Sequence, residues 1–371
     1  MGHHISVAFA MFAVALGLLA PPLSAQPREF RFGCYVPMTG LQAQMGKSMD
    51  NGFRMAIADK AHVMPNTRVV IECKDDQGRA DDGINLARKF IEDPGMLAVL
   101  GSWSSTVTLA AAPIYNQAGM VNITPVASHP DVTKVGLYVF RQSIIQSFEG
   151  PANADYMIQL GYRKVAMIGL PNDYGKVNIE LTKLAFEAKG GKIVFEEFVR
   201  PDAQDFRQTI QKAVRAGPDA LYLALFPQHG ALVAKQVRQM GIKLPIYGAA
   251  ALESPDFLRL AGDAADGIRL LMVFNPDINP ALDDFFRRYQ QQFDAQPEPF
   301  AINSYITASA LIDVLAKLGP EPTREDIRSG WEAQREIQTI AGPITYDPET
   351  REWSFNFTPG IIEKGEFVIA H

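Results

Sequence analysis

The sequence predicts an α/β protein made of two Rossmann-like lobes, each a doubly wound parallel sheet, with a ligand cleft between them. Two observations support this prediction. Apolar runs typical of strands alternate with amphipathic segments typical of helices, and the alternation starts twice, at Phe30 and at Tyr162. Such alternation is typical of parallel sheets covered by helices on both faces. A chain of 371 residues that is 47% hydrophobic has material for two cores.

The first 25 residues are typical of a secretory signal peptide. The run from Ile5 to Leu19 is apolar and uncharged but short for a membrane span, and Ala25 offers a small residue before cleavage at Gln26. The residues before the run are His3 and His4 rather than Lys or Arg, so a retained N-terminal anchor is the alternative.

The segment from Phe30 to Thr124 predicts the first lobe. The predicted strands are 30–36, 68–74, 97–100 and 120–124, and the predicted helices are 47–60, 80–92 and 107–115. The helix at 47–60 places Met49, Phe53 and Ile57 on one face. An apolar stripe of that kind packs a helix onto a sheet.

The second alternation predicts the second lobe, and the end of the chain breaks the pattern. The predicted strands are 165–170, 192–199, 220–226 and 244–248, with helices at 176–189, 206–216 and 232–240. Helices at 279–293, 301–318 and 324–332 follow, then strands at 342–348, 353–357 and 367–369. The late helices lack strand partners, so we expect them on the first lobe. Lobe 1 is then 28–141 plus 276–338, lobe 2 is 142–275 plus 339–371, and three segments form the hinge.

Two cysteines lie near the ends of neighbouring predicted strands. Adjacent parallel strands would place Cys34 and Cys73 side by side, so the two could form a disulfide in an oxidising compartment. We expect two buried free thiols instead, because a bridge between neighbouring strands strains its geometry.

The loop after the strand at 97–100 predicts an anion site. Gly101 to Thr106 supplies hydroxyls and backbone N–H groups at the start of a helix, where the dipole is positive and the first N–H groups lack partners. Ser104 or Ser105 acting only as a helix N-cap is the alternative.

Several other functions are disfavoured. The run from Gly40 to Ser48 resembles a phosphate-binding loop, but five residues separate its glycines where four are required. No nucleophile elbow or zinc-binding helix motif occurs. Asp75 and Asp76 are expected to cap the next helix, and His129 and His229 are expected to be solvated loop residues. The net charge of −6 and the lack of a basic run argue against nucleic acid.

The loops at the carboxyl ends of the strands suit a small ligand, because ligands of open parallel sheets bind there. They supply hydroxyls from Ser104, Ser105, Thr124 and Ser128, and aromatic rings from Trp103, Tyr174 and Phe226. Two such lobes facing each other can close around a solute by a hinge motion.

A series of short motifs points in the same direction. They are Thr39-Gly40 with Gly46 and Asn51-Gly52, Asp75-Asp76, the loop at 101–106, Ile123-Thr124-Pro125 with Ser128, Asp173-Tyr174-Gly175 and the run 260–267. With them, the chain from about Phe30 to its end resembles the type I periplasmic solute-binding proteins of ABC transporters, in the branched-chain amino acid-binding group. The resemblance implies a periplasmic, non-catalytic protein that needs no cofactor or metal and works with membrane permease subunits.

The resemblance also implies a set of ligand contacts. Ser105, with Ser104 beside it, would hold the ligand carboxylate. Ala127 and Ser128 would hold the amino group or another polar head, and Tyr174 would close over the ligand. The side-chain pocket would be shaped by Met45, Trp103 and Phe226, with Tyr305 as a further candidate.

One position departs from the family pattern. Amino-acid binders of this group place an acid after the strand at 244–248, and the matching position is Ala250. Glu253 could replace it only if the loop is displaced. An unpaired buried ammonium is costly. The ligand is therefore a branched-chain amino acid or relative, or an aromatic or 2-keto carboxylate without an α-amino group; a sensor protein of the same fold is a further alternative.

Overall fold

A computed structural model describes residues 1–2, 28–274 and 279–370 of the chain. It contains a five-stranded sheet, a seven-stranded sheet and a small three-stranded sheet. The predicted signal peptide, apart from its first two residues, lies outside the described part.

The five-stranded sheet forms the first lobe, and all its neighbouring strands are parallel. Its strands are β1 (Arg28–Val36), β2 (Thr67–Asp75), β3 (Met96–Gly101), β4 (Val121–Thr124) and β5 (Val139–Arg141), and its first helices are α1 (Ala43–Asp59), α2 (Ala80–Glu92) and α3 (Ser105–Gln117). The strand order is β2-β1-β3-β4-β5. Reversal of the order at β1 and β3 leaves a crevice at their carboxyl ends.

The seven-stranded sheet forms the second lobe. Its elements begin with α4 (Gln146–Gln159), β6 (Lys164–Gly169), α5 (Asp173–Ala188), β7 (Lys192–Phe198), α6 (Arg207–Arg215), β8 (Ala220–Ala224), α7 (Pro227–Gln239), β9 (Ile246–Gly248), α8 (Pro255–Ala261) and β10 (Arg269–Met272). These five strands pair in parallel. Two sheets built mainly of parallel strands and flanked by helices confirm the predicted α/β class.

The last part of the chain contributes to both lobes. Its elements are α9 (Pro280–Phe293), α10 (Pro299–Lys317), α11 (Arg324–Glu332), β11 (Glu336–Thr339), β12 (Gly342–Asp347), β13 (Glu352–Trp353), β14 (Thr358–Glu363) and β15 (Glu366–Ile369). The strand β14 pairs antiparallel with β10 and carries β15 at the sheet edge. The bounds of the expected strand at 353–357 are thus wrong. Its first residue belongs to β13 of the third sheet, and the next strand, β14 of the seven-stranded sheet, begins only at Thr358.

The helix α10 is the main core helix of the first lobe. It packs along α1, and the two backbones come so close that a Cβ on Gly52 would lie 2.2 Å from the carbonyl oxygen of Ala301. Among the described residues it is the one helix long and apolar enough to cross a bilayer, and most of it is buried inside the protein.

The three-stranded sheet of β11, β12 and β13 is tied to the first lobe by a buried ion pair. Arg141 and Glu352 are 0% and 4% exposed, and Nε of Arg141 donates to Oε2 of Glu352 at 2.9 Å. Thr133 donates its hydroxyl to the same carboxylate at 2.7 Å. The strand pairing shows which sheet each late strand joins. The residue boundaries of the two lobes given in the sequence analysis stay predictions.

The two cysteines form a disulfide, so the expectation of free thiols is wrong. Cys34 of β1 stands directly opposite Cys73 of β2 in the parallel register, with Cα atoms 4.1 Å apart. Residues paired in this way point to the same face, which brings the two sulfurs together without moving either strand.

Replacing both cysteines by serine is expected to lower the free energy of unfolding by about 2–4 kcal/mol, because the bridge closes a 39-residue loop and restricts the unfolded chain. Urea unfolding of the oxidised wild type and the double variant measures the difference. Dithiothreitol should destabilise the wild type and leave the variant unchanged; equal midpoints for both proteins without reductant would contradict a bridged wild type.

The paired aspartates do not cap α2, contrary to the expectation. The N-cap of α2 is Arg79, which makes no side-chain cap bond. Asp75 instead accepts hydrogen bonds from the N–H of Met38 at 2.7 Å and the hydroxyl of Thr39 at 2.6 Å. Asp76 accepts from the hydroxyl of Ser102 at 2.5 Å, and burial raises its pKa to about 6. Both aspartates therefore order the loops that follow β1 and β3.

Candidate functional site

A cavity lies between the two lobes, at the carboxyl ends of β3, β4, β6, β8 and β9. It holds about 740 Å³ of space free of protein atoms, part of it open to solvent. Eight of the predicted site residues line it: Trp103, Ser104, Ser105, Ser128, Tyr174, Phe226, Ala250 and Glu253. The structure thus brings together residues from loops that are far apart in the chain.

The first-lobe wall contains the start of α3. Ser104 is its N-cap, and the Ser104 hydroxyl accepts a hydrogen bond from the N–H of Val107 at 3.5 Å. The N–H of Thr108 donates to the carbonyl of Ser104. The N–H groups of Ser105 and Thr106 therefore have no acceptor within the helix, which makes this helix start suited to an anion.

The buried residue Ser102 holds this loop in place. Its N–H donates to the Thr108 hydroxyl at 3.1 Å, and its carbonyl accepts from the Thr124 hydroxyl at 2.8 Å. Its own hydroxyl is bonded to Asp76. The serine-rich loop is thus fixed by side chains from β4 and from the loop after β2, before any ligand arrives.

Aromatic rings from both lobes meet in the cavity. The ring centroids of Trp103 and Phe226 are 4.7 Å apart, and Tyr174 stacks on Phe226 at 5.6 Å. Phe300, at the start of α10, meets Trp103 edge-on at 5.9 Å. These rings supply a largely apolar surface on which the body of a small ligand can pack.

The second-lobe wall carries two buried carboxyl groups. Glu253 accepts hydrogen bonds from the N–H groups of Val273 at 2.9 Å and Phe274 at 3.2 Å, and burial raises its pKa to about 8. Glu149, at the start of α4, accepts from the N–H of Ala250 at 2.9 Å, and burial also raises its pKa. Among the described residues that line the cavity there is no Lys, Arg or His.

Three predicted site residues are not among those that line the cavity. Met45 is fully buried in the core of the first lobe. Ala127 is held by its backbone, which donates to Thr124 and accepts from Arg141. The Tyr305 hydroxyl donates to Asp59 at 2.8 Å, on a different face of α10 from the cavity. We therefore leave these three out of the proposed site.

His129 and His229 do not line the cavity, and the predicted position of one of them in a loop is wrong. His229 lies inside α7, only 5% exposed, with Nε2 at 2.8 Å from the carbonyl oxygen of Pro201. His129 is half-buried beside Arg141 and Asp131, and burial lowers its pKa. The prediction of a solvated loop residue is therefore wrong for His229, because its loop is the first turn of a helix.

The sequence reasoning missed several lining residues. Glu149 belongs to α4, which was not predicted because Gly150 and Pro151 interrupt the helical pattern. Phe300 lies in the first turn of α10, whose start was expected later, and Asn303 follows it one turn on. The pair Pro299-Phe300 could have indicated the earlier start of α10, since Pro is favoured in the first helical turn.

The two lobes touch each other beside the cavity. The Thr106 hydroxyl of the first lobe donates to Oδ2 of Asp173 in the second lobe at 2.6 Å. Nε2 of Gln228 in the second lobe donates to the carbonyl of Leu41 at 3.2 Å. These bonds, with the contact of Trp103 and Phe226, hold the cleft closed. No cluster of three metal-ligating side chains is found in the part of the chain that the structure describes.

Comparison with known proteins agrees with this architecture. Residues 29–359 match the family model described as periplasmic binding protein. The chain is 25% identical over 339 residues to Leu/Ile/Val-binding protein homolog 3 of Brucella melitensis. The alignment covers 90% of each chain.

Two solved structures are similar over nearly the whole chain. The branched-chain amino acid ABC transporter structure from Rhodospirillum rubrum is 33% identical, with a TM-score of 0.71, and the match covers 92% of this chain and 100% of that one. An ABC transporter solute-binding protein of Rhodopseudomonas palustris, in complex with 3,4-dihydroxybenzoic acid, is 26% identical with a TM-score of 0.85, covering 91% and 95%.

Proposed function

Since this chain belongs to the periplasmic binding protein family, we propose that it captures a small α-amino acid with an apolar side chain for an ABC importer. The protein works in the periplasm, after removal of its signal peptide, and delivers the ligand to the membrane permease subunits. The lobes close over the ligand in the cavity described above.

The opposite character of the two cavity walls is the observation that carries this proposal. The first-lobe wall presents the unpaired N–H groups at the start of α3 and the hydroxyl of Ser105, which suit a carboxylate. The second-lobe wall presents the carboxyl groups of Glu149 and Glu253. A molecule with a carboxylate at one end and an ammonium at the other satisfies both walls and so links them.

Position 250 is an alanine and carries no acidic side chain, and Glu253 supplies the carboxylate in its place. Its two backbone hydrogen bonds leave further lone pairs on the carboxylate for a ligand ammonium. With no cationic side chain in the lining, a ligand ammonium is the natural partner for this buried acid, because charge-assisted hydrogen bonds offset desolvation.

An aromatic carboxylate without an amino group is the second candidate. The rings of Trp103, Tyr174, Phe226 and Phe300 favour a flat ligand body, and the similar protein of Rhodopseudomonas palustris is in complex with 3,4-dihydroxybenzoic acid. In this alternative Glu253 stays protonated, as its pKa of about 8 allows at neutral pH.

A thermal-shift screen followed by calorimetric titration distinguishes the two. One ligand set is leucine, isoleucine, valine and phenylalanine, and the other is benzoate, 3,4-dihydroxybenzoate and phenylpyruvate. The proposal expects the first set to raise the melting temperature. A shift with the second set alone establishes the aromatic carboxylate, and a shift with neither set removes the carboxylate anchor at the start of α3.

Replacing Ser105 by alanine is expected to weaken binding by about 1–3 kcal/mol, because the ligand carboxylate loses a hydrogen bond. The unliganded protein should keep its melting temperature, since Ser104 and not Ser105 caps α3. Calorimetric titration of the ligand found in the screen measures the change. Ser329→Ala, on the exposed side of α11, is the matched control; equal affinities for the two variants would take Ser105 out of the site.

A further inference from the structure

A buried acid lies between the two lobes, just outside the cavity. Glu298 directly precedes α10 and is only 2% exposed, and its Oε2 has no hydrogen-bond partner among the described residues. The carboxyl group faces Ser254 and Asp256 at the start of α8. Because α10 packs on α1 and α8 packs on α7, this contact joins the first lobe to the second.

The acids around Glu298 are already paired with the cations near them. From α8 it faces Asp256, which is 8% exposed, and Arg259, which is already paired with Asp256. On the first-lobe side, Tyr289 of α9 lies close enough to interact with the charges of both Glu298 and Asp50, the latter on α1. The Asp50 charge is in turn paired with Arg54. In the described part of the chain each of these cations is thus paired with another acid, and Glu298 has no ion-pair partner of its own in the closed form.

Closure changes the environment of this carboxyl group. In the closed form it is removed from water and lies beside a second acid, and a buried carboxylate without a cationic partner is strongly disfavoured. When the lobes separate, α8 moves away with the second lobe and water can reach the group. The closed form therefore holds a proton on Glu298 more tightly than the open form.

We propose that closure of the cleft is coupled to proton uptake at Glu298, so that acidity favours the closed form whichever solute is bound. The contact lies outside the ligand cavity, since neither Glu298 nor Asp256 lines it. The coupling thus regulates the motion of the lobes and is independent of the ligand proposed above.

The pKa of Glu298 gives the direction and the pH window. Burial raises it to about 7 in the closed form, and the charge of Asp256 adds to the effect, while hydrogen bonds from the Ser254 hydroxyl and the Asp256 N–H and the charge of Arg259 oppose it. In the open form the group should return to its ordinary value of 4.5. The ratio of closed to open protein then rises by up to about tenfold per pH unit as the pH falls from 7 toward 4.5.

Distance measurement between two spin labels on the ligand-free full chain tests the coupling. Gln44→Cys on α1 and Gln208→Cys on α6 place one label on each lobe, at exposed positions. Double electron–electron resonance at pH 5, 6, 7 and 8 gives the closed fraction. The expected result is a closed fraction that grows as the pH falls below 7.

Three further variants separate Glu298 from the other acids. Glu298→Gln should remove its part of the pH dependence, whereas Glu180→Gln on the exposed face of α5 should not change it. Asp256→Asn should move the transition to lower pH, since a like charge is gone. Glu253→Gln should leave the Glu298 transition in place. A wild-type profile without pH dependence, or a Glu298→Gln profile identical to the wild type, would overturn the proposal.

Discussion

Glu352→Ala is expected to lower the free energy of unfolding by about 3–5 kcal/mol, the cost of leaving one member of a buried ion pair without its partner. Arg141 is fully buried, and its guanidinium donates both to Glu352 and to the carbonyl of His129 at 2.6 Å. Without the carboxylate a positive charge stays buried, and Thr133 also loses its acceptor.

Urea unfolding followed by circular dichroism measures this effect. Glu349→Ala, at an exposed position in the turn between β12 and β13, serves as the control and should change stability by less than about 0.5 kcal/mol. Equal midpoints for the two variants would show that the third sheet does not depend on this pair. Arg141→Met with Glu352→Leu should recover part of the stability, because no charge then stays buried.

Glu253→Gln is expected to weaken binding of the α-amino acid by about 2–5 kcal/mol, since the ligand ammonium loses its buried carboxylate partner. The wild-type affinity should also depend on pH. Burial raises the pKa of Glu253 to about 8 in the closed form, and the ammonium binds its charged form. Affinity therefore rises as the pH approaches 8, and this rise should vanish in Glu253→Gln.

Calorimetric titration between pH 6 and 9 tests both statements. Glu363→Gln, at an exposed position of β14, is the matched control. Wild-type affinity in Glu253→Gln would exclude the ammonium contact. In that case the aromatic carboxylate is the ligand, and Trp103→Ala should be the variant that loses binding, because it removes the ring between Phe226 and Phe300.

Much of the fold follows from the alternating pattern, and the failures have local causes. The helices at 80–92 and 324–332 were predicted with their observed ends, where an apolar stripe is accompanied by acidic residues in the first turn. The strands β5 and β10 have three and four residues, too few to show a period. The disulfide was judged on the general strain of bridges between strands, whereas the register that pairs Cys34 with Cys73 is a property of the whole sheet.

The cavity was predictable only as far as strand ends could be located. Ser105, Trp103 and Phe226 follow strands directly, so their meeting follows from parallel topology. Tyr305 was expected as a further candidate because its helical stretch begins near the cleft, but only residues 299–303 at the start of α10 reach the cavity. Which turn faces the ligand depends on how α10 packs on α1, and a pattern along one segment does not contain that information.

The contact between Trp103 and Phe226 gives the protein an intrinsic optical probe. The chain has three tryptophans. Trp331 and Trp353 pack against each other at 6.2 Å, are fully buried and do not line the cavity. Trp103 lines the cavity and packs on Phe226 of the opposite lobe, so separation exposes its indole to water. A red shift in the tryptophan fluorescence of the unlabelled protein therefore reports opening.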